Sequence, residues 1–530
     1  MTRRRTAVLL SLILQCGMLA VWPLLASADG RNWVTYAGTE AGWHYSKLDQ
    51  INTQNVDHLV LKWVFQIGDL GKFEATPLER DGVMYGTGQN NRAFALDART
   101  GKAIWRYAPS NLPADLRLCC GTVNRGFAIQ GTRLFMATLD AHVIAMDTRT
   151  GNVLWNTKAA DYKLGYSFTL APLIVKDKVI VGVSGGEYPI RGFIDAYYID
   201  TGKRAWRFET IPAPGEPRHE SWSGDSWKIG GAPAWMTGAY DPELNLIYWP
   251  TGNPAPSNYG GQRKGDNLYS NSMLAMNPDT GRLKWFFQFT PHDLWDHDAT
   301  ETPVLIDGMW HGKRRKLLLQ ANRNAFFYVL DRETGQFLSA KPFAEQNWAS
   351  EITAQGRPVF NPASIPTKKS IRVCPGALGA VNWNPPSYSP ATRLFYVNAR
   401  ENDCTIFTGG PETPTKGQFF FGSSFSPPYN EQGWGVLRAI DPASGDVKWG
   451  FKMYSVAWAG VLSTSGDLVF TGDMEGNLMA FNGNTGENLW HFQTGSPVFA
   501  APMSYEFEGK QYIVIAAGSG LFAFGLPDAN

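Results

Sequence analysis

Ala95-Leu96-Asp97-Ala98-Arg99-Thr100-Gly101-Lys102-Ala103-Ile104-Trp105 reads as an apolar strand ending at an acid, a Thr-Gly turn, and a second strand with Trp four residues after the glycine. The same phrase returns as Ala145-Met146-Asp147 with Thr150-Gly151 and Trp155. Looser copies pair Gly202 with Trp206, Gly281 with Trp285, Gly445 with Trp449, and Gly486 with Trp490. A degenerate copy at Asp331, Thr334 and Gly335 has Ser339 in place of Trp. A strand, a Gly turn and a strand make a β-hairpin, and runs such as Leu134–Thr138 and Leu468–Gly472 supply a further strand upstream. Repetition of such units marks radial β architecture.

The repeat glycines lie 50, 51, 79, 54, 110 and 41 residues apart. The longest gap has room for one more copy, with Arg393–Asn398 as its strand. Eight blades of about 63 residues then fill residues 29–530, within the usual range for propellers. The fold expected is an all-β, eight-bladed β-propeller with tryptophan-docking repeats, forming a single domain. The repeated Trp, Asp and Gly are structural, so function is expected in residues that break the repeat, on loops at the mouth of the ring. The insertions at about 207–270 and 340–435 are the places to look.

Composition agrees. Charged residues are 18% of 530, and 20 Trp, 55 Gly and 33 Pro make the chain aromatic and turn-rich, which excludes disorder and coiled coil. Forty-eight basic against 47 acidic residues leave a net charge of +1 and no footprint for nucleic acid. Arg3, Arg4 and Arg5 precede an apolar run to Leu25, and Ala26-Ser27-Ala28 offers a cleavage site. Residues 1–28 read as a secretory signal peptide, with no membrane span expected once it is removed.

Cys16 lies in that signal. Cys119, Cys120, Cys374 and Cys404 remain, an even number that suggests two disulfides with three possible connectivities. Neighbouring cysteines such as Cys119-Cys120 commonly bond to separate partners. Ser184-Gly185-Gly186-Glu187, Thr251-Gly252-Asn253-Pro254 and His292-Asp293-Leu294-Trp295-Asp296-His297-Asp298 together offer hard oxygen donors, suited to a calcium-like ion rather than to zinc or copper. His292 and His297 have no third partner at metal spacing and read as loop residues.

These words together resemble the pyrroloquinoline quinone (PQQ)-dependent alcohol dehydrogenases, the quinoprotein methanol and ethanol dehydrogenases. The similarity runs from Trp33-Val34-Thr35-Tyr36 to the final strand near Gly518. It is most specific at Cys119–Gly126, Ser184–Glu187, Leu246–Pro256 and Trp295-Asp296. The resemblance implies that Cys119 and Cys120 form a disulfide over one face of the quinone while Trp235 stacks on the other. Cys374 and Cys404 then form a second bridge. Glu74, Arg125, Thr169 and Ser184, with the backbone of Gly185 and Gly186, match residues holding the cofactor's acidic rim. Arg323 matches the basic residue near the reactive carbonyl, and Asn382 and Trp458 match further cofactor contacts.

Glu187 and Asn253 match metal ligands, and Asp296 matches both a ligand and the catalytic base. In such a site the ion polarises the quinone carbonyl, the base takes the hydroxyl proton, and hydride passes to the quinone carbon. Asp298 departs from calcium-dependent members, which usually carry a small or uncharged residue there, and resembles the lanthanide-dependent branch. The ion implied is a lanthanide or Ca2+. Gly121 stands where many members have an acidic residue.

The expectation is a periplasmic dehydrogenase oxidising a primary or secondary alcohol. Electrons go to a separate acceptor such as cytochrome c, since no Cys-x-x-Cys-His occurs. A sugar or polyol dehydrogenase is the alternative within the family, and a non-enzymatic propeller scaffold the alternative outside it. Phe419, Phe420, Phe421 and Trp222, read as lining the mouth, suggest a substrate larger than methanol.

Overall fold

The computed structural model describes residues 30–68, 71–422 and 424–528. The signal segment and Cys16 lie outside the described residues. Among those residues, strands form seven four-stranded sheets and one of five strands, together with two smaller sheets. Each repeat phrase supplies the third and fourth strands of a sheet. The phrase at Gly101, for example, lies in the antiparallel order Leu78–Arg80, Val83–Thr87, Ala93–Asp97, Ala103–Tyr107. The β-propeller expectation is met.

The repeated Trp and Gly meet between adjacent sheets. Gly151 has φ +71°, and a Cβ there would stand 2.7 Å from the ring of Trp105. Glycine therefore supplies both the left-handed turn and the space for the ring. The same seating joins Trp63 to Gly101, Trp155 to Gly202, Trp206 to Gly281, Trp285 to Gly335, and Trp449 to Gly486. Each indole also donates its N–H to a carbonyl of the next sheet, as Trp105 does to Thr148 at 2.9 Å and Trp206 to Pro278 at 2.9 Å. Within its own sheet the Trp faces a small residue: Ala95 opposite Trp105, Ala145 opposite Trp155, Ala196 opposite Trp206. The degenerate copy inverts the sizes, with Val329 opposite Ser339, and Gly445 of the next sheet meets Lys341 instead of an indole. A cleft of about 1010 Å³ opens at this seam, bordered by Leu305, Met309, Tyr388, Leu394 and Asp441.

One expectation is corrected. Arg393–Asn398 does not begin an extra copy. Its strand, Leu394–Glu401, pairs with Trp434–Ile440 in the sheet that already carries Gly445. The long gap is instead filled by a hairpin, Ala349–Ile352 with Pro358–Phe360, and by the three-stranded sheet of Ile371–Val373, Thr405–Phe407 and Phe425–Ser426. The remaining sheet joins the two ends of the described chain. Val60–Gln66 pairs with Gly520–Gly525, beside Lys510–Ala517 and Met503–Phe507. Trp63, opposite Ala523, is the Trp of that sheet.

Residues 33–46 run past the first strands of several sheets. Trp33 N–H donates to Glu79, and Tyr240, Leu305 and Tyr388 donate their N–H groups to Glu40, Ala41 and Trp43. Tyr45–Ser46 then pairs in parallel with Leu462–Thr464. His44 in this segment is fully buried beside Trp33 and Tyr36, and neither ring nitrogen has a partner among the described residues. Burial pushes its pKa down to about 3, and that of His297 likewise to about 3.

Both imidazoles therefore stay neutral in the fold at pH values where the unfolded chain, with His near 6.5, binds protons. Stability is full above about pH 6.5 and falls as pH drops toward 3, by up to ~1.4 kcal/mol per pH unit for each His. Urea midpoints measured across that window should show a shallower slope for His44→Phe than for the wild type. An unchanged slope would remove His44 from this account.

Candidate active site

In an antiparallel sheet, the start of the first strand and the end of the second lie at the same edge. The sequence-predicted residues use these two positions. Glu74, Arg125, Thr169, Trp235, Asp298, Asn382 and Trp458 each fall three to six residues before the first strand of a different sheet. Ser184–Glu187, Asn253 and Arg323 directly follow the second strands Lys178–Gly182, Leu246–Pro250 and Lys313–Ala321. The ring thus gathers them on one rim from segments remote in sequence.

Arg125 anchors one half. Its guanidinium pairs with Glu74 at 2.8 Å, both side chains being about 5% exposed. It also lies 5.1 Å from the centroid of Trp235 and 4.9 Å from that of Trp383. Burial raises the Glu74 pKa and Arg125 opposes the rise. Arg125 N–H donates to the Thr169 carbonyl at 3.0 Å, and the hydroxyls of Thr169 and Ser184 are 3.0 Å apart. Arg125 Nε is buried without a hydrogen-bond partner among the described residues. Buried polar atoms of this kind call for a ligand or water.

Arg323 anchors the other half. It pairs with Asp298 at 2.9 Å and Asp296 at 3.2 Å, and donates to the Ala377 carbonyl. Burial works against its charge, yet the acids around it hold its pKa above the ordinary value. Burial raises Asp296 well above the usual carboxylate range, Asp298 and Glu187 add to the rise, and Arg323 opposes it. Asp298 is further tied down by the indole N–H of Trp235 at 2.8 Å and by the backbone N–H of Asn253. Asn253 Nδ2 donates to the Gly186 carbonyl at 3.3 Å, and a Cβ at Gly186 would stand 2.5 Å from Asn253 Oδ1. The glycine is what lets the amide approach.

Phe420 N–H donates to the Glu187 carbonyl at 2.7 Å, so the 340–435 insertion braces this donor. Glu187, Asn253, Asp296 and Asp298 each carry side-chain oxygen donors, the kind of ligand a hard cation takes. Glu301, buried with both carboxylate oxygens unpartnered among the described residues, lies within electrostatic reach of Arg323 and Asp298.

The sulfurs of the exposed Cys119 and Cys120 lie 2.6 Å apart, well inside the separation of two unbonded thiols, so the neighbours are juxtaposed for the bridge that the resemblance implies. Neighbouring trans residues hold their Cα atoms at about 3.8 Å, shorter than a disulfide prefers. Sulfur and carboxylate atoms of Cys119, Cys120 and Glu187 lie within 4.8 Å of one another. Gly121 follows with φ +99°, a conformation that glycine adopts without strain. Cys374 and Cys404 are disulfide-bonded.

Trp222 does not line the mouth. It packs with Ile211 and Ala232 and is 4% exposed, because its indole N–H seeks the Leu268 carbonyl. Phe420 is also buried, whereas Phe419 is 44% exposed and packs against Tyr188 and Phe421.

Sequence reasoning missed Tyr36, Trp383 and Phe499, which share an apolar cluster with Trp235 and Trp458. A signal existed: Glu74-Ala75-Thr76-Pro77, Thr169-Leu170-Ala171-Pro172 and Phe499-Ala500-Ala501-Pro502 form a second recurring phrase ahead of first strands.

The family model "PQQ: Glucose/ethanol/alcohol dehydrogenase, beta-propeller domain" matches residues 33–340 and 337–513. Among relatives, "Quinoprotein alcohol dehydrogenase PedH" of Pseudomonas putida is 45% identical over 507 residues, covering 90% of this chain and 84% of its own. "Lanthanide-dependent methanol dehydrogenase" of Methylorubrum extorquens is 36% identical over 567 residues, covering 98% and 94%. Among solved structures, quinohemoprotein alcohol dehydrogenase from Comamonas testosteroni superposes with TM-score 0.89 at 34% identity, over 95% of this chain and 82% of that one. A europium-containing methanol dehydrogenase does so with TM-score 0.89 at 33% identity, over 94% and 99%. With a family match along most of its length and relatives this similar over nearly their whole chains, the chain belongs to the PQQ-dependent alcohol dehydrogenase family.

Proposed function

We propose that this chain is a quinoprotein dehydrogenase that oxidises a primary or secondary alcohol to the aldehyde or ketone, using PQQ and one metal ion. The observation that carries the reading is the convergence of Asp296, Asp298 and Arg323 beside Glu187 and Asn253 on the rim. Glu187, Asn253, Asp296 and Asp298 would hold the ion. Arg125, Thr169 and Ser184 would hold the cofactor's carboxylates, with Trp235 beneath its ring and Cys119 and Cys120 above. When bound, the quinone supplies a two-electron acceptor whose carbonyl the ion polarises.

Asp296 accepts the proton of the substrate hydroxyl at its carboxylate. The guanidinium of Arg323, 3.2 Å away, favours the ionised acid that this task requires. The burial that raises the Asp296 pKa also makes its carboxylate a stronger base once ionised. The extra carboxylate of Asp298 supports a lanthanide over calcium, since one more negative donor offsets one more positive charge. Residues 29–530 would then be one exported domain, its eight large sheets the blades, with the signal removed after Ala28 in the periplasm. Electrons would leave to a separate acceptor such as cytochrome c. Among the described residues no helix is long and apolar enough to cross a membrane.

Apoprotein loaded with PQQ and either Ca2+ or La3+ should reduce a dye on addition of ethanol or a larger alcohol, with La3+ giving the higher rate. Quinone uptake with either ion but no alcohol-dependent reduction would overturn the reading.

A further inference from the structure

We propose that Lys72 and Arg400, flanking Trp458, form a second cationic pole of the cofactor pocket that takes a carboxylate of the quinone. This rests on the functional reading above. PQQ is a tricarboxylate. The residues matched to its site include the acids Glu74, Glu187, Asp296 and Asp298 and only two cations, each already paired: Arg125 with Glu74, Arg323 with Asp296 and Asp298. A metal ion answers the acids around Arg323. A polyanionic ligand still needs positive charge elsewhere on its rim.

Trp458 is where that charge stands. The guanidinium carbon of Arg400 lies 3.5 Å from the ring centroid of Trp458, and Lys72 Nζ lies 5.7 Å from it and 5.4 Å from that of Phe499. Trp458 and Phe499 belong to the same apolar cluster as Trp235. Arg400 is 2% exposed. Asp403 at 3.0 Å and the carbonyls of Ala457 and Leu378 engage its Nε and Nη1, while Nη2 is buried with no partner among the described residues. A guanidinium nitrogen buried without an acceptor is costly, and a carboxylate is the group that satisfies it best. Leu378, whose carbonyl accepts from Arg400, also accepts from Asn382, which ties this pole to a residue already matched to the cofactor. Lys72 lies at an exposed position two residues before Glu74, within electrostatic reach of it. Its ammonium can therefore meet the ligand from the solvent side.

The test is a titration of PQQ into the purified apoprotein with Ca2+ present, followed by tryptophan fluorescence, with the trimethyl ester of PQQ as the uncharged comparison. Lys72→Met should weaken PQQ binding roughly 3- to 10-fold and Lys72→Arg should restore it. Arg400→Gln should cost roughly 10- to 100-fold. Neither change should alter affinity for the ester. Because Lys72 is exposed, its variants report even if Arg400→Gln does not fold.

Wild-type binding of PQQ with both Lys72→Met and Arg400→Gln within twofold of it overturns the pole while leaving the functional reading intact. So does an equal loss for PQQ and ester. A Lys72 variant that keeps quinone affinity but raises KM only for hydroxy-acid substrates would assign the pole to the substrate instead and overturn the proposal. Failure of the wild type to bind PQQ overturns both.

Discussion

Asp296→Asn should lower kcat by roughly 10²- to 10⁴-fold, the usual contribution of a positioned general base, while the protein still folds and takes up quinone. The amide keeps the size of the carboxylate and can still accept from Arg323, but it cannot take a proton. Two observations single out this acid among its neighbours. Its side chain is 23% exposed where that of Asp298 is 5%, so it is the one open to a substrate. Its backbone sits at φ +64°, a left-handed conformation that non-glycine residues adopt at a cost and that recurs at functional sites. Its segment precedes the strand Val304–Trp310 rather than lying within it, so the substitution leaves the sheets untouched. Turnover assays with bound quinone quantified by absorbance provide the check. A variant retaining more than a tenth of wild-type kcat would remove Asp296 from the role of base.

The second large effect is expected at Asp298. Asp298→Asn should weaken La3+ binding and La3+-supported turnover by roughly 10- to 100-fold, in the range found when groups supporting a metal site are changed. Ca2+-supported turnover should change much less. The Trp235 indole and the Asn253 N–H donate to different oxygens of the carboxylate, so the asparagine keeps one of these two hydrogen bonds and loses the other. What disappears is a charge and one acceptor. Titrating the apoprotein with each ion, then assaying with saturating quinone, separates the possibilities. Equal losses with both ions would mean that Asp298 acts only by positioning Arg323, Trp235 and Asn253.

The fold was readable because the Trp-Gly phrase is a local signal for a contact between sheets, and it recurs with little variation. Its misreading at Arg393–Asn398 has a physical cause. A long insertion between two strands of one sheet stretches the repeat and leaves pairing unchanged, and pairing does not show in spacing. Trp63 escaped notice for the converse reason: its strand precedes the first phrase, and its partner strand Gly520–Gly525 lies at the far end of the chain. The site was legible mainly through motif words. Tyr36, Trp383, Lys72 and Arg400 could not be found that way, because side chains from different sheets meet there only once the ring is formed. Trp222 shows the opposite error, since an aromatic in an insertion packs as readily beneath a loop as at an opening.

The sheet that unites Val60–Gln66 with Gly520–Gly525 has a consequence for how the chain comes together. Val64 pairs with Phe522, more than 450 residues away, so the circle cannot close until nearly the whole polypeptide is present. Contacts of such long range slow folding, and a strand awaiting its neighbour is an open edge that invites association with other chains. A molecule threaded across a membrane from its N-terminal end would carry that edge unpaired throughout the passage. Loss of the final strand would then leave Trp63 without Ala523 and unfasten the whole circle.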